Sequence, residues 1–319
     1  MLKQKYILCH GSGNRFLMLD AVGEPQLERL ADHPQLIAQM CREVGGTDGL
    51  LLTVQGDKGY GMRMFNTDGS EAEMCGNGIR CVARLAEIYL PEGQTAYPVW
   101  SGGKRHPMWI EQPVWGNIPT RKVAIDIRLS TDDFVPSLTA EGGFIEQPIP
   151  ELDEALRFTY LNLGNPHLVA FVEAVDLDHL SRLGERVKEL KELLPRGVNV
   201  SLVRCEGPNR IFVATYERGV GLTPSCGTAM TASSTASVLT GRCTAGEEIE
   251  VRNRGGMVRC CCTTTEGIVT TLSGNATFEA EGEVGIDFET GEVLLADEEL
   301  IRTDEVEAYA QFLRSLNEA

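Results

Sequence analysis

The chain has 319 residues, 42% of them hydrophobic, enough for two ordinary domains or one large one around real cores. A formal net charge of -17 argues against nucleic acid or an anionic membrane face as a partner, leaving acidity as a solubility feature. No run of eighteen apolar residues occurs and the N-terminal MLKQKYILCHGSG is too short in apolar residues for a secretory signal, so the expected compartment is the cytoplasm, with all ten cysteines free.

In chain order, residues 6–9 read as a strand entering His10-Gly11-Ser12-Gly13-Asn14. Leu36, Ile37, Met40, Cys41 and Val44 recur at helical spacing, and apolar strands follow at residues 50–54 and 61–65. Asp68-Gly69-Ser70 predicts a tight turn before Cys75-Gly76. The helix that follows (Ile79, Val82, Ala83, Leu85, Ala86, Tyr89) has little polar face, so burial is expected. Residues 99–119, with Trp100, Trp109, Trp115 and several Pro and Gly, read as an irregular excursion forming a packed surface loop. A strand is expected at residues 122–128.

The second half opens with a strand at residues 158–163 entering Gly164-Asn165-Pro166-His167, then a helix through Leu180, Leu183, Val187, Leu190 and Leu194. Strands at 198–203 and 211–216 precede Cys226-Gly227, and the small, weakly polar helix 229–239 again predicts burial. Further strands are expected at 256–263 and 267–272, an acidic tail from Glu283, and a terminal helix over 304–316.

Gly13-Asn14, Gly46 and Cys75-Gly76 match Gly164-Asn165, Gly197 and Cys226-Gly227 at a common offset of 151 residues. Their positions at the ends of matching elements predict an α/β (α+β) fold of two pseudo-symmetric domains. Each is a mostly antiparallel sheet or barrel wrapped around one central helix. The expected boundaries are 1–130 and 131–282, with 283–319 as an acidic extension that has no counterpart in the first half.

A pseudo-twofold relation would set Cys75 facing Cys226 across an interdomain cleft. Two thiols facing one carbon suit cofactor-independent inversion, in which one face loses a proton and the other gains one. Cysteine can serve as acid or base because its ordinary pKa of about 8.5 lies near enough to neutrality to be shifted. The N–H groups of Gly76, Asn77, Gly78, Gly227 and Thr228 would offer two helix N-termini to a carboxylate and its enediolate, and their field would favour thiolate. Cys260-Cys261-Cys262 reads as a strand with alternating faces rather than a metal site, and no G-x-G-x-x-G follows a strand in a βαβ context. Neither metal nor other cofactor is expected.

The blocks HGSGN (10–14), FNTDGSEAEMCGNGIRC (65–81), LGNPH (163–167), GVNV (197–200), and YERGVG with SCGT (216–228) resemble the diaminopimelate epimerase family of cofactor-independent amino-acid epimerases. The resemblance implies a soluble, often homodimeric isomerase with a small amino-acid substrate, interconverting LL- and meso-diaminopimelate for lysine and cell-wall precursor synthesis. By motif, Cys75 and Cys226 are the acid/base pair, assisted by His167 and Glu217. Asn14, Asn66, Gly76, Asn77, Asn165, Asn199, Arg218, Gly227 and Thr228 bind substrate. Within that set Asn66, Asn199 and a buried Arg218 suit the distal carboxylate, and Glu217 the distal ammonium.

Arg15 follows Asn14 where the family commonly has Asp, Leu222 stands where Glu usually follows ERG-x-G, and Pro224-Ser225 before Cys226 is less usual. A racemase of histidine or another basic amino acid would share fold and mechanism. A non-catalytic amino-acid binder would need neither thiol, and a Cys226–His167 thiol hydrolase would leave Cys75 unexplained. Cys81 is expected in the core, and His10 as site support or a structural hydrogen-bonding group.

Overall fold

The computed structural model describes residues 1–56, 59–72, 74–129, 142–295 and 300–318. The chain divides into two compact units, Met1–Val123 with Gly274–Ala319, and Ala124–Ser273.

The first unit begins with β1 (Leu2–Gly11) and β2 (Asn14–Asp20), an antiparallel hairpin. Its two turn residues, Ser12 and Gly13, have φ of 55° and 78°, which suits a tight two-residue turn. A 3₁₀ turn (Pro25–Asp32) and helix α1 (Pro34–Val44) carry the chain over to β3 (Gly49–Gly56), which pairs parallel to β2. β4 (Gly59–Asn66) returns antiparallel and pairs with the short β5 (Glu71–Ala72).

Helix α2 (Gly78–Ala86) then lies against β1 to β4. Strand β3 has a helix on each face, which is why it reads Leu50-Leu51-Leu52 without polar alternation. Leu50 and Leu52 join the core containing Leu36, Ile37 and Met40 of α1. Leu51 points the other way, so close to α2 that a Cβ on Gly78 would sit 2.7 Å from its Cδ2.

The expected excursion is instead mostly strand. β6 (Ala96–Ser101), β7 (Lys104–Glu111) and β8 (Thr120–Ile127) form an antiparallel meander, and β6 pairs parallel to β4. Alternation was present, with Tyr97, Val99, His106 and Met108 buried. Pro98 and Pro107 face each other in the ladder, and Gly102-Gly103 makes the turn with positive φ at both residues. Only residues 112–119 are irregular.

The second unit repeats this plan. β9 (Gln147–Ile149), β10 (Asp153–Asn162) and β11 (Pro166–Phe171) pair antiparallel, and α3 (Leu177–Glu189) crosses over so that β12 (Asn199–Gly207) runs parallel to β11. β13 (Arg210–Glu217) and β14 (Gly221–Thr223) precede helix α4 (Gly227–Leu239), then β15 (Glu248–Asn253), β16 (Gly256–Thr263) and β17 (Ile268–Asn275). β15 pairs parallel to β13, as β6 does to β4, so the repeat extends into the segment read as an excursion. Leu180, Leu183 and Val187 of α3 pack with Leu168, Val200, Leu202 and Tyr216, while Leu190 and Leu194 lie beyond the helix end. Gly184 allows this, since a Cβ there would meet the Tyr216 ring at 2.2 Å.

The tail does not stand apart. β18 (Thr277–Asp287) pairs antiparallel with nearly all of β1, and β19 (Glu292–Leu295) and β20 (Leu300–Ile301) pair with β18. Helix α5 (Thr303–Glu318) packs on β18, with Tyr309 edge-on to His10 at 4.4 Å between centroids and Phe312 near Trp115. Because β18 runs through residues 282 and 283, the closing strand and the acidic tail both join the first unit. The expected boundary at 130/131 lies outside the described residues. Tyr89, expected on the buried helix, sits beyond it in a 3₁₀ turn and is exposed.

Candidate active site

In the first unit Cys75 sits half-buried just before α2. The Gly78 N–H points at its Sγ from 3.3 Å, and the Asn14 Oδ1 lies 3.7 Å from the sulfur. Asn14 is held on three sides: its Oδ1 also accepts from Asn77 Nδ2 at 3.3 Å, and its Nδ2 donates to Asp48 at 2.8 Å. The same Asp48 oxygen accepts the Arg15 N–H at 2.8 Å. The Arg15 side chain turns to Glu279 (2.5 Å) and to the Gly45 carbonyl (2.9 Å), so this departure from the family pattern ties β2 to β18 and to the end of α1.

Asn66 is committed to the turn after β4. Its Nδ2 donates to Ser70 Oγ at 2.9 Å, and Asp68 caps Ser70 through both its N–H and hydroxyl, as the sequence predicts. Gly69 has φ of +85° and passes so near Pro34 that a Cβ would lie 2.2 Å from the Pro34 carbonyl oxygen. Cys81 is wholly buried, and His10 is a buried structural group bonded to Asn275 and to the Gly13 N–H.

In the second unit Cys226 is buried at the start of α4 and is its N-cap residue. Its pKa is raised well above the ordinary thiol value, first by burial and then by the nearby Glu217 carboxylate. Hydrogen bonds from Thr228 and the Ala229 N–H act in the opposite direction and are outweighed. The helix entrance thus favours thiolate, as expected, while burial and Glu217 act more strongly toward the thiol. The geometry still repeats between units, with each sulfur receiving an N–H from the third residue on, Gly78 and Ala229.

A polar chain runs from this thiol. Thr228 Oγ1 is 3.5 Å from Cys226 Sγ and accepts from Asn165 Nδ2 at 3.2 Å, while Asn165 Oδ1 is 3.2 Å from His167 Nε2. Asn199 Nδ2 lies 3.5 Å from the same nitrogen, and its Oδ1 accepts the Arg218 N–H at 2.8 Å. Nε2 donates to Asn165 Oδ1 in one tautomer and accepts from Asn199 Nδ2 in the other. His167 is fully buried, and burial followed by the Arg218 charge lowers its pKa to about 3, so it is neutral at physiological pH. Neutral, it pairs with a neighbouring amide rather than carrying charge.

Arg218 is exposed, not buried, and donates to the Arg196 carbonyl at 2.6 Å. Leu222, at the position where the family has Glu, is partly exposed on β14 opposite Tyr216. Ser225 and Pro224 are anchored to the β15–β16 turn, through Asn253 Nδ2 at 3.0 Å and the Gly255 N–H at 2.9 Å. Asp48 and Asn275 escaped the sequence reading because their roles arise from distant pairing. Arg80 left a signal, since it and Arg84 are the two charged residues of an otherwise apolar helix.

Gly76, Asn77, Gly227 and Thr228 occupy the two helix entrances, where first-turn N–H groups have no partner within the helix. Cys260 and Cys262 are buried and Cys261 is half-buried, the alternation expected of strand β16. Among the described residues no group of three or more His, Cys, Asp or Glu is placed to hold a metal ion. Nor, among them, is any helix long and apolar enough to cross a membrane.

The "Diaminopimelate epimerase" family model matches residues 6–112 and 159–279. A diaminopimelate epimerase of Clostridium acetobutylicum is 36% identical over 312 residues, 95% of this chain and 92% of its own. One from Enterococcus faecalis is 40% identical over 267 residues, covering 78% and 79% of the two chains. Among solved structures, a phenazine biosynthesis protein of the PhzF family from Bacillus anthracis superposes with a TM-score of 0.64 at 18% identity, covering 90% of this chain and all of that one. A probable proline racemase from Agrobacterium radiobacter gives 0.60 at 15% identity, over 89% and 93%. These two share the fold. On its sequence matches, this chain belongs to the diaminopimelate epimerase family.

Proposed function

We propose that the chain is an isomerase that interconverts LL- and meso-diaminopimelate by moving one proton at the α carbon, with Cys75 and Cys226 as the acid/base pair. Family membership supports the substrate. The observation that carries the chemistry is the repeated arrangement of a thiol before a buried helix, receiving an N–H from the third residue on. Burial and Glu217 favour the thiol form of Cys226, which supports reading it as the acid in the resting enzyme and Cys75 as the base. After one turnover the roles exchange, and the reverse reaction starts from the complementary state.

The helix-entrance N–H groups of Gly76, Asn77, Gly227 and Thr228 bind the substrate α-carboxylate and stabilise the enediolate that forms when the proton leaves. Asn14 and Asn165, each fixed by a neighbour, line the same reacting end. Asn66, Asn199 and the exposed fork of Arg218 receive the distal carboxylate, and Glu217 the distal ammonium. Ten free thiols suit work in the reducing cytoplasm, and a homodimer is the assembly the family resemblance implies.

Proton NMR in deuterium oxide tests the reading. LL-diaminopimelate, L-histidine and L-lysine are offered separately, and loss of the α-proton signal is expected with diaminopimelate alone. Exchange with histidine or lysine instead would overturn the substrate while keeping the chemistry. Silence with all three would favour an amino-acid binder.

A further inference from the structure

Arg80 is the largest wholly buried side chain described, inside α2 and five residues after Cys75. A guanidinium withdrawn from water must be met by several acceptors, and here the acceptors come from three separate parts of the first unit. Nη1 donates to the Gly76 carbonyl at 3.0 Å, Nε to the Asn275 carbonyl at 3.1 Å, and Nη2 to Ser12 Oγ at 3.2 Å. Ser12 is fixed in turn, its N–H donating to Asn275 Oδ1 at 2.7 Å, and the Asn275 amide donates to the His10 carbonyl at 3.1 Å. The approach is tight enough that a Cβ on Gly11 would lie 2.7 Å from Arg80 Nη2 and 2.8 Å from the Asn77 carbonyl oxygen.

The Gly76 carbonyl belongs to the peptide that carries the Asn77 N–H. A trans peptide directs its C=O and N–H to opposite sides, and this chain has no cis peptide among its described residues. Drawing the carbonyl toward the buried guanidinium therefore turns the Asn77 N–H away from the interior. We propose that Arg80 is a positioning residue for the reaction: by gripping the Gly76 carbonyl from inside α2 it sets the peptide after Cys75 so that the Asn77 N–H meets the substrate carboxylate, and it holds the Cys75 turn against the Asn14 hairpin.

This rests on the proposed two-thiol reaction, so its test includes a readout that needs no substrate. Arg80→Met removes the charge at similar length, and Arg80→Lys keeps the charge but cannot reach three acceptors at once. For Arg80→Met, kcat for α-proton exchange is expected to fall by about a hundredfold, as for a misplaced catalytic group, with KM changing by less than about threefold. Iodoacetamide alkylation of Cys75, followed by peptide mass at one pH, is expected to slow several-fold as the Gly78 N–H loses its aim at the sulfur. Arg80→Lys should fall between the variant and the parent in both readouts.

A folded Arg80→Met protein with kcat and Cys75 alkylation both within about twofold of the parent would overturn the proposal. If Arg80→Met does not fold, Arg80→Lys decides, and parental values in that variant overturn it equally. A parent protein that exchanges no α-proton of diaminopimelate sinks the functional reading, while the alkylation comparison still judges Arg80.

Discussion

The two central helices solve one problem in different ways. Both lie against sheet with almost no access to water, so each polar group on them needs a partner. Helix α4 meets most of the demand within itself: Thr231, Ser234, Thr235 and Ser237 each donate a hydroxyl to the carbonyl four residues back, and Thr228 and Thr235 also meet Asn165 and Thr270. Helix α2 relies on distant segments. Arg80 reaches Ser12 and Asn275, and Arg84 forks onto Glu305 of α5 at 2.6 and 2.8 Å while lying over the Phe278 ring. Local satisfaction lessens a helix's dependence on its surroundings, whereas borrowed satisfaction links the Cys75 turn to the far end of the chain.

The largest effect expected is catalytic and equal in the two units. Cys75→Ala or Cys226→Ala should each lower net inversion by about a thousandfold or more with the fold intact, read by polarimetry beside circular dichroism. Unchanged turnover in either variant would remove the two-base scheme.

The borrowed satisfaction of α2 gives the next. Glu305→Ala leaves Arg84 only the Ala276 carbonyl as acceptor and takes the partner from the Phe278 N–H, and should cost about 2–4 kcal/mol in urea unfolding. A loss below about 0.5 kcal/mol, the surface ion-pair range, would mean that α5 is decoration.

Glu217→Gln addresses the second thiol. A neighbouring carboxylate disfavours thiolate, so removing its charge lowers the Cys226 pKa and moves its alkylation profile to lower pH.

The smallest effect has the opposite sign. Ser233 Oγ on α4 is buried without a hydrogen-bond partner among the described residues, so Ser233→Ala should stabilise by about 1 kcal/mol in the same urea assay. A destabilised variant would reveal a partner for that hydroxyl.

Sequence periodicity made most of the first hairpins, crossover helices and paired strands legible, because sheets covered on both faces write themselves as apolar runs ended by glycine. It failed at β6 and β7, where Pro98 and Pro107 oppose one another and resemble breakers. The Cys-Gly pairs were legible because their chemistry is local. Asp48 behind Asn14, and Asn275 behind Arg80, were not, since each meets its partner only after distant strands have paired. The exposure of Arg218 and the raised pKa of Cys226 depend on surroundings that composition does not record.

The return of the last strand to the first has a consequence in time. The second unit is one unbroken stretch, so on the ribosome it can close on itself as soon as residue 273 emerges. The first unit is begun earliest and finished last, its opening strand unpaired on one edge until β18 is made. On the order of seconds of synthesis separate those events, an interval in which nascent β1 needs shielding.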